Sequence, residues 1–164
     1  MKPSAQIRLR QKAIKNAVFQ AQKKAAKELV QILIDAIRMR VRQLHLLSNE
    51  KTIPKLKPST VLYRERYSKN LAQDTSPKTS NATATGQMID SMRGKATGTK
   101  ITIDLKPARK KELSGSKSTQ TNVEVNKWYE KGKGEWFGLS EKDKQEGIDY
   151  ATELIKEEIK KVLK

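Results

Sequence analysis

The chain has 164 residues, with 35 Lys and Arg against 18 Asp and Glu, and so carries a net charge of +17. It has no cysteine and one histidine, which excludes disulfides and thiolate chemistry and argues against zinc sites and histidine-dependent catalysis. No run approaches the roughly 18 apolar residues of a membrane span, and the basic N-terminal segment lacks the apolar stretch of a secretory signal. We expect a soluble, non-enzymatic protein without a cofactor, whose partner is a polyanion or an acidic protein.

The positive charge is unevenly distributed. Residues 1–50 carry a net +8 and residues 51–100 a net +7, whereas residues 101–164 carry only +2. Residues 48–85 are rich in Ser, Thr, Asn, Pro and Lys, which predicts a polar loop or arm that a partner orders. We therefore divide the chain into a long basic N-terminal helix (1–47), this arm (48–85) and an α+β domain (86–164).

Residues 4–47 have the pattern of one long helix, because no Gly or Pro interrupts them. Small and apolar residues recur at steps of three and four, the spacing of one helical face. These residues are Ile14, Val18, Ala21, Ala25, Leu29, Ile32 and Ala36. A helix of this length spans about 66 Å, so one end projects or packs against another subunit. The alternative is a kinked or broken pair of helices within one globule.

Two short elements are predicted next. Residues 59–70 form either a helix or a strand. Residues 86–93 (GQMIDSMR) form a short helix, capped by Thr83 or Thr85, with Met88, Ile89 and Met92 on one face.

Two segments alternate apolar and polar residues as half-buried strands do. Ile101, Ile103 and Leu105 alternate with polar residues, and so do Val123 and Val125. We expect them to pair as antiparallel strands of a small sheet, joined by a long basic loop.

The C-terminal segment predicts an amphipathic helix over residues 141–163. Ser140 is the candidate N-cap, and Asp143 lies in the first turn, where an acid complements the helix dipole. The apolar stripe consists of Ile148, Ala151, Leu154, Ile155, Ile159 and Val162. The expected fold is α+β, with a long N-terminal helix and with this helix packed on one face of a small antiparallel sheet.

No constellation of residues indicates catalysis. The acids that could supply a carboxylate pair are Asp90, Asp104, Glu124 and Glu130, and no motif fixes their spacing. His45 is interpreted as a partly buried packing residue. Gly132, Gly134 and Gly138 form a turn rather than a phosphate loop, because no Lys-Ser or Lys-Thr follows them. Trp128, Trp136 and Phe137 frame that turn. The favoured interpretation is that they anchor it to the core or to a neighbouring subunit, and the alternative is that they stack on nucleic-acid bases.

The long helix carries ten basic side chains and few acids. We predict that these side chains contact a polyanion or an acidic partner, and that any DNA contact is to phosphates without sequence specificity. They are Arg8, Arg10, Lys12, Lys15, Lys23, Lys24, Lys27, Arg38, Arg40 and Arg42.

Three segments of the second half occur in a characteristic order. The first is TGQMIDSM, with Thr85 and Gly86; the second is WYEKG, from Trp128; the third is FGLSEKD, from Phe137. This order resembles that of the virion-morphogenesis, tail-completion and head–tail joining proteins of tailed bacteriophages, over residues 83–164. The chain departs from the family pattern at Glu135 and Trp136, where the family has Arg-Pro.

The resemblance implies a structural protein of the phage neck or tail end, such as a tail-completion or terminator protein. Such proteins form rings, commonly sixfold, between portal-side adaptors and the tail tube, and DNA passes through the lumen. It also implies a virion location after assembly in the bacterial cytoplasm. The candidate core or assembly anchors are Met88, Ile89, Met92, Trp128, Trp136, Phe137 and Leu139. The alternative is a non-specific DNA-binding protein, and an enzyme such as a small nuclease is a third hypothesis.

Overall fold

A computed structural model describes residues 3–81 and 83–163. The architecture is α+β, as the sequence predicts. The elements in chain order are α1 (Pro3–Arg42), α2 (Pro58–Arg66), a 3₁₀ turn (Ser68–Asn70), α3 (Gln87–Asp90), β1 (Met92–Thr97), β2 (Lys100–Leu105), α4 (Asn122–Lys133) and α5 (Glu141–Leu163). No helix in the described part of the chain is both long enough and apolar enough to cross a membrane.

Helix α1 is one continuous helix of 40 residues, about 60 Å long, and not a broken pair. It ends at Arg42, five residues before the predicted boundary. The chain reverses there, with His45 and Glu50 at positive φ of 55° and 62°. Leu46 then pairs with Thr52 in an isolated antiparallel bridge, and the side chain of Leu47 enters the core.

Helix α5 has the predicted bounds. The N–H of Ser140 donates to Asp143 Oδ2 at 2.9 Å, and the N–H of Asp143 donates to Ser140 Oγ at 3.1 Å, so Ser140 is the N-cap. Helix α5 packs mainly along α1 rather than on the sheet, which corrects the expected packing partner. The two helices are antiparallel, because Tyr150 bonds to Glu28 while Val162 lies beside Ile14.

Strands β1 and β2 form an antiparallel hairpin with Met92 opposite Leu105 and Gly94 opposite Ile103. Gly98, at φ 63°, is the first residue of the two-residue turn, the position that a type II′ turn reserves for glycine. The prediction of β2 is confirmed, but its partner strand was placed wrongly. Residues 123–125 belong to α4, which begins with a capping box in which Thr121 and Glu124 bond to each other's backbone N–H.

Residues 48–85, expected as an arm, fold against the body. The segment 59–70 is helical, as α2 and the 3₁₀ turn, rather than a strand. Ile53, Arg64, Asn81 and Thr83 are all buried. Arg64 donates to the carbonyl of Thr79 at 2.8 Å, which closes the segment on itself.

The hydrophobic core lies where the C-terminal half of α1 meets the hairpin, α3 and the chain after α4. Its buried members are Ile34, Ile37, Val41, Leu47, Ile53, Met88, Ile89, Met92, Leu105 and Trp136. The N-terminal half of α1 extends beyond this core, and there Val162 and Leu163 of α5 lie beside Arg10 and Ile14.

Candidate assembly and binding surfaces

The three segments that carry the family resemblance meet in one core. Met88, Ile89 and Met92 of the first segment are buried there together with Trp136. Phe137 and Leu139 of the third segment pack against this cluster, as does Tyr129 of the second. Six of the seven candidate anchors thus lie in or against this core, and Trp128 does not.

Trp128 lies on the solvent face of α4 and is 64% exposed, so it does not anchor the turn to this chain's core. Trp136 is fully buried, and its Nε1–H donates to Asn126 Oδ1. Its ring lies 5.4 Å from that of Phe137, centroid to centroid. The core of this chain is therefore not the anchor of Trp128, and its contact with a neighbouring subunit or with nucleic-acid bases stays a prediction.

Arg40 is buried and not available to a polyanion, which corrects its predicted role. Its side chain is 4% exposed and lies 3.3 Å from the carboxylate of Asp143. The guanidinium also donates to the carbonyls of Leu47 (3.4 Å), Trp136 (3.1 Å) and Gly138. Burial lowers the pKa of Arg40, and the nearby Asp143 opposes that shift. Arg40 thus joins α1 to the third motif segment and to the first turn of α5.

Two further arginines of α1 also bind within the chain. Arg42 lies 2.9 Å from the carboxylates of both Asp74 and Asp90. Arg38 lies 3.2 Å from Asp35. The C-terminal third of α1 therefore uses its basic side chains for internal structure, and it is a poor candidate for the predicted polyanion contact.

The other seven basic side chains lie on the N-terminal two-thirds of α1. They form no ion pair with any described residue. All are exposed except Lys23, which is half-buried with its Nζ 4.4 Å above the Phe19 ring. They are Arg8, Arg10, Lys12, Lys15, Lys23, Lys24 and Lys27.

The seven residues do not share one face. Arg8, Lys12, Lys15 and Lys23 recur at spacings that keep them on one side of the helix, and we call them the basic row. Arg10 and Lys24 project from the opposite side of the same helix, and Lys27, four residues after Lys23, lies at the margin of the row. Without neutralising acids, the basic row favours a negatively charged partner.

An apolar groove runs along α1 between β2 and α5, and we call it the α1–β2 groove. One part, of about 360 Å³, is lined by Leu33, Ile37, Thr99, Ile101, Ile103, Phe137, Gly138 and Leu139. The next part, of about 270 Å³, shares Thr99 and Ile101 and is lined further by Gln22, Ala25, Ala26, Leu29, Ala151 and Ile155. The two parts therefore adjoin at Thr99 and Ile101.

Strand β2 presents a free edge at this groove. The N–H of Lys106 donates to the carbonyl of Ser91, its partner in the register, at 2.9 Å. Hydrogen-bonded and non-hydrogen-bonded pairs alternate in an antiparallel ladder, so the backbone groups of Ile101 and Ile103 point away from β1. Within the described chain, no backbone group outside the hairpin forms a hydrogen bond with them, so this edge of β2 is free.

The acids considered for catalysis have structural partners. Asp90 pairs with Arg42, Asp104 lies 2.5 Å from Arg93, and Glu124 completes the α4 capping box. Burial raises the pKa of Glu130. In the described residues no three His, Cys, Asp or Glu side chains are grouped so as to hold a metal ion.

His45 is half-buried, as interpreted from the sequence, but it lies in the turn that follows α1 and not in the helix. Its Nδ1 has no hydrogen-bond partner among the described residues. Gly134, at φ 104°, lies in the turn after α4, where an added Cβ would be 2.8 Å from Leu47 Cδ1. Gly134 is therefore a packing feature of the core, whereas Gly132, predicted to lie in the turn, belongs to α4.

The chain matches no protein-family model, no curated protein and no solved structure.

Proposed function

We propose that the protein is a structural component of the neck or tail end of a tailed bacteriophage, acting as a ring between portal-side adaptors and the tail tube. One observation supports this most directly: the three segments that resemble the family form a single packed unit. Arg40 fixes that unit to the long helix through Trp136 and Asp143. The unit is thus a rigid body suited to repeated copies.

The exposed apolar side chains of α2 and α4 are candidates for contacts between copies. Leu62 is 66% exposed, Tyr63 is 45% exposed and Trp128 is 64% exposed. Large aromatic side chains concentrate binding energy at protein interfaces, and Trp128 is the strongest candidate among the three. In this proposal Trp128 inserts into the neighbouring subunit of the ring.

Non-specific contact with DNA is the second candidate, supported by the seven basic side chains of α1 that form no ion pair with any residue the structure describes. Phosphate contacts of this kind release counterions, so the logarithm of the binding constant falls steeply and linearly with the logarithm of salt concentration. Such contacts are compatible with a ring whose lumen passes DNA.

The test is the native mass of the purified protein at low and high salt, with negative-stain images of the same samples and a head–tail joining assay. We expect a closed ring that Trp128→Glu dissociates, while Lys127→Glu on the same helix leaves it intact. A protein that stays monomeric and does not join heads to tails would refute the proposal. A monomer that binds duplex DNA with a steep salt dependence would favour the second candidate.

A further inference from the structure

The basic row and the α1–β2 groove lie on the same side of α1. Groove residues Ala26, Leu33 and Ile37 continue the spacing of three and four residues that begins with Arg8 and Lys12. From position 8 to position 37 the combined surface is about 44 Å long. The α1–β2 groove thus leads directly onto the basic row.

Two features of this surface suit an extended peptide. The walls are apolar, with Ile103, Phe137 and Leu139 facing the space, and one wall is the free edge of β2. A two-stranded hairpin is marginal alone, and an added strand satisfies its outward backbone groups while the groove accepts alternate side chains. A surface of about 44 Å accommodates about 13 extended residues.

We propose that the α1–β2 groove binds an extended acidic segment of another protein, which pairs with β2 as a third strand and places its carboxylates along the basic row. The acidic part of the bound segment lies beyond the hairpin turn, because Thr99 of that turn is at the end of the groove nearest the basic row. The exposed Lys100 adds a positive charge at that end. This inference goes beyond the proposed function and does not depend on it.

Charge identifies the occupant as a different protein. The longer non-helical segments of this chain, 48–57, 71–85 and 106–121, each have a zero or positive net charge, so a second copy offers no acidic strand. Duplex DNA matches the basic row, but its phosphates neither fill apolar walls nor pair with a strand edge. An acidic extended peptide matches all three features.

The experiment selects binders to the full-length protein from displayed random peptides of about 15 residues. We expect enriched peptides to alternate apolar residues in one half and to carry Asp or Glu in the other half. The double variant Lys12→Glu/Lys15→Glu should weaken their binding roughly tenfold, because two ion pairs become repulsive. The matched control Arg10→Glu/Lys24→Glu, with the same net charge, should change affinity by less than about twofold, because both side chains lie on the opposite side of α1.

A second measurement leaves the protein unchanged. Each selected peptide is made in two N-methylated forms, or phases: one is methylated at the odd-numbered residues and the other at the even-numbered residues. Each form therefore lacks the N–H donors on one edge of the strand. One phase should lose binding and the other should retain it, and amide exchange at Ile101 and Ile103 should slow only with the binding peptide. The inference fails if no peptide is enriched, if enriched peptides lack acids, or if the two double variants or the two methylation phases behave alike. Binding of duplex DNA in place of any peptide would also overturn it.

Discussion

Arg40 of α1 and Asp143 of α5 form an ion pair at 3.3 Å in which the two side chains are only 4% and 8% exposed. The Asp143 carboxylate also accepts a hydrogen bond from the N–H of Ser140, the N-cap of α5. The Arg40 guanidinium also donates to the carbonyls of Trp136 and Gly138. Each side chain neutralises the charge of the other in a buried environment, where an unpaired charge is costly. The pair therefore fixes where α5 starts relative to α1.

Arg40→Met should lower the free energy of unfolding by about 3–5 kcal/mol, because Asp143 and the carbonyls then remain buried without their donor. Chemical denaturation measures this change. Arg38→Met is the control, since Arg38 pairs at a more exposed position and should cost less than about 1 kcal/mol. The double variant Arg40→Met/Asp143→Asn should be less destabilised than the sum of its single variants. Additive effects would show that the two residues do not act as a pair.

Gly94→Ala should destabilise the protein by about 1–3 kcal/mol, because an added Cβ would lie 2.4 Å from Val30 Cγ1 and force α1 and β1 apart. Thermal unfolding checks this. Gly132→Ala is the matched control: it lies within α4, and an added Cβ has nothing within 4 Å. It should raise stability by about 0.5–1 kcal/mol through helix propensity. Equal effects of the two substitutions would contradict the packing of β1 on α1.

Two glutamates of α4 should affect the pH dependence of stability with opposite signs. Burial raises the pKa of Glu130 above 4.5, so the folded state favours its protonated form. Its contribution to stability is therefore lost as pH rises from about 4.5 through the folded pKa, and Glu130→Gln should be more stable than wild type only above that range.

The backbone hydrogen bond from Thr121 lowers the pKa of Glu124 below 4.5. Its contribution is present above pH 4.5 and is lost as pH falls through the lower, folded pKa. Glu124→Gln should therefore be less stable than wild type near neutral pH and should match it in acid. Urea midpoints between pH 3 and pH 7 test both variants. If the urea midpoint of either variant changed with pH in parallel with that of the wild type, the assigned direction of that glutamate's pKa shift would be wrong.

The two tryptophans should be separable by fluorescence. In Trp128→Phe, the remaining Trp136 should emit at short wavelength and resist acrylamide, because it is fully buried. In Trp136→Phe, the exposed Trp128 should be quenched readily. Trp128→Phe should change stability by less than about 0.5 kcal/mol. Trp136→Phe should cost about 1–3 kcal/mol, because Asn126 loses its donor. Equal quenching of the two variants would contradict this placement.

The sequence was most informative where local signals and tertiary packing agree. Ser140 and Asp143 begin α5, and its apolar stripe continues to the predicted end. In contrast, β1 has few strand signals, because Gly94 lies against Val30 of α1 and must be small there. The requirement for a small residue comes from the contact with α1, which the local sequence of β1 does not reveal.

Helix α4 could have been predicted. The valines at 123 and 125 alternate as in a strand, but Thr121 and Glu124 already have the spacing of a capping box. The basic residues of α1 are a different case. Nothing local distinguishes Arg40 from Arg38, because only the fold brings Trp136 and Asp143 to one of them. The groove beside β2 likewise depends on segments distant in the sequence.

The antiparallel contact between α1 and α5 joins residues that are synthesised far apart. Tyr150 and Glu28, which bond at 2.6 Å, are separated by 122 positions. At about 5–20 residues per second, a ribosome needs roughly 6 to 24 seconds to make the intervening chain. During that time the apolar side of α1 has no α5 to cover it. The contact between α1 and α5 therefore forms only after most of the chain has been synthesised.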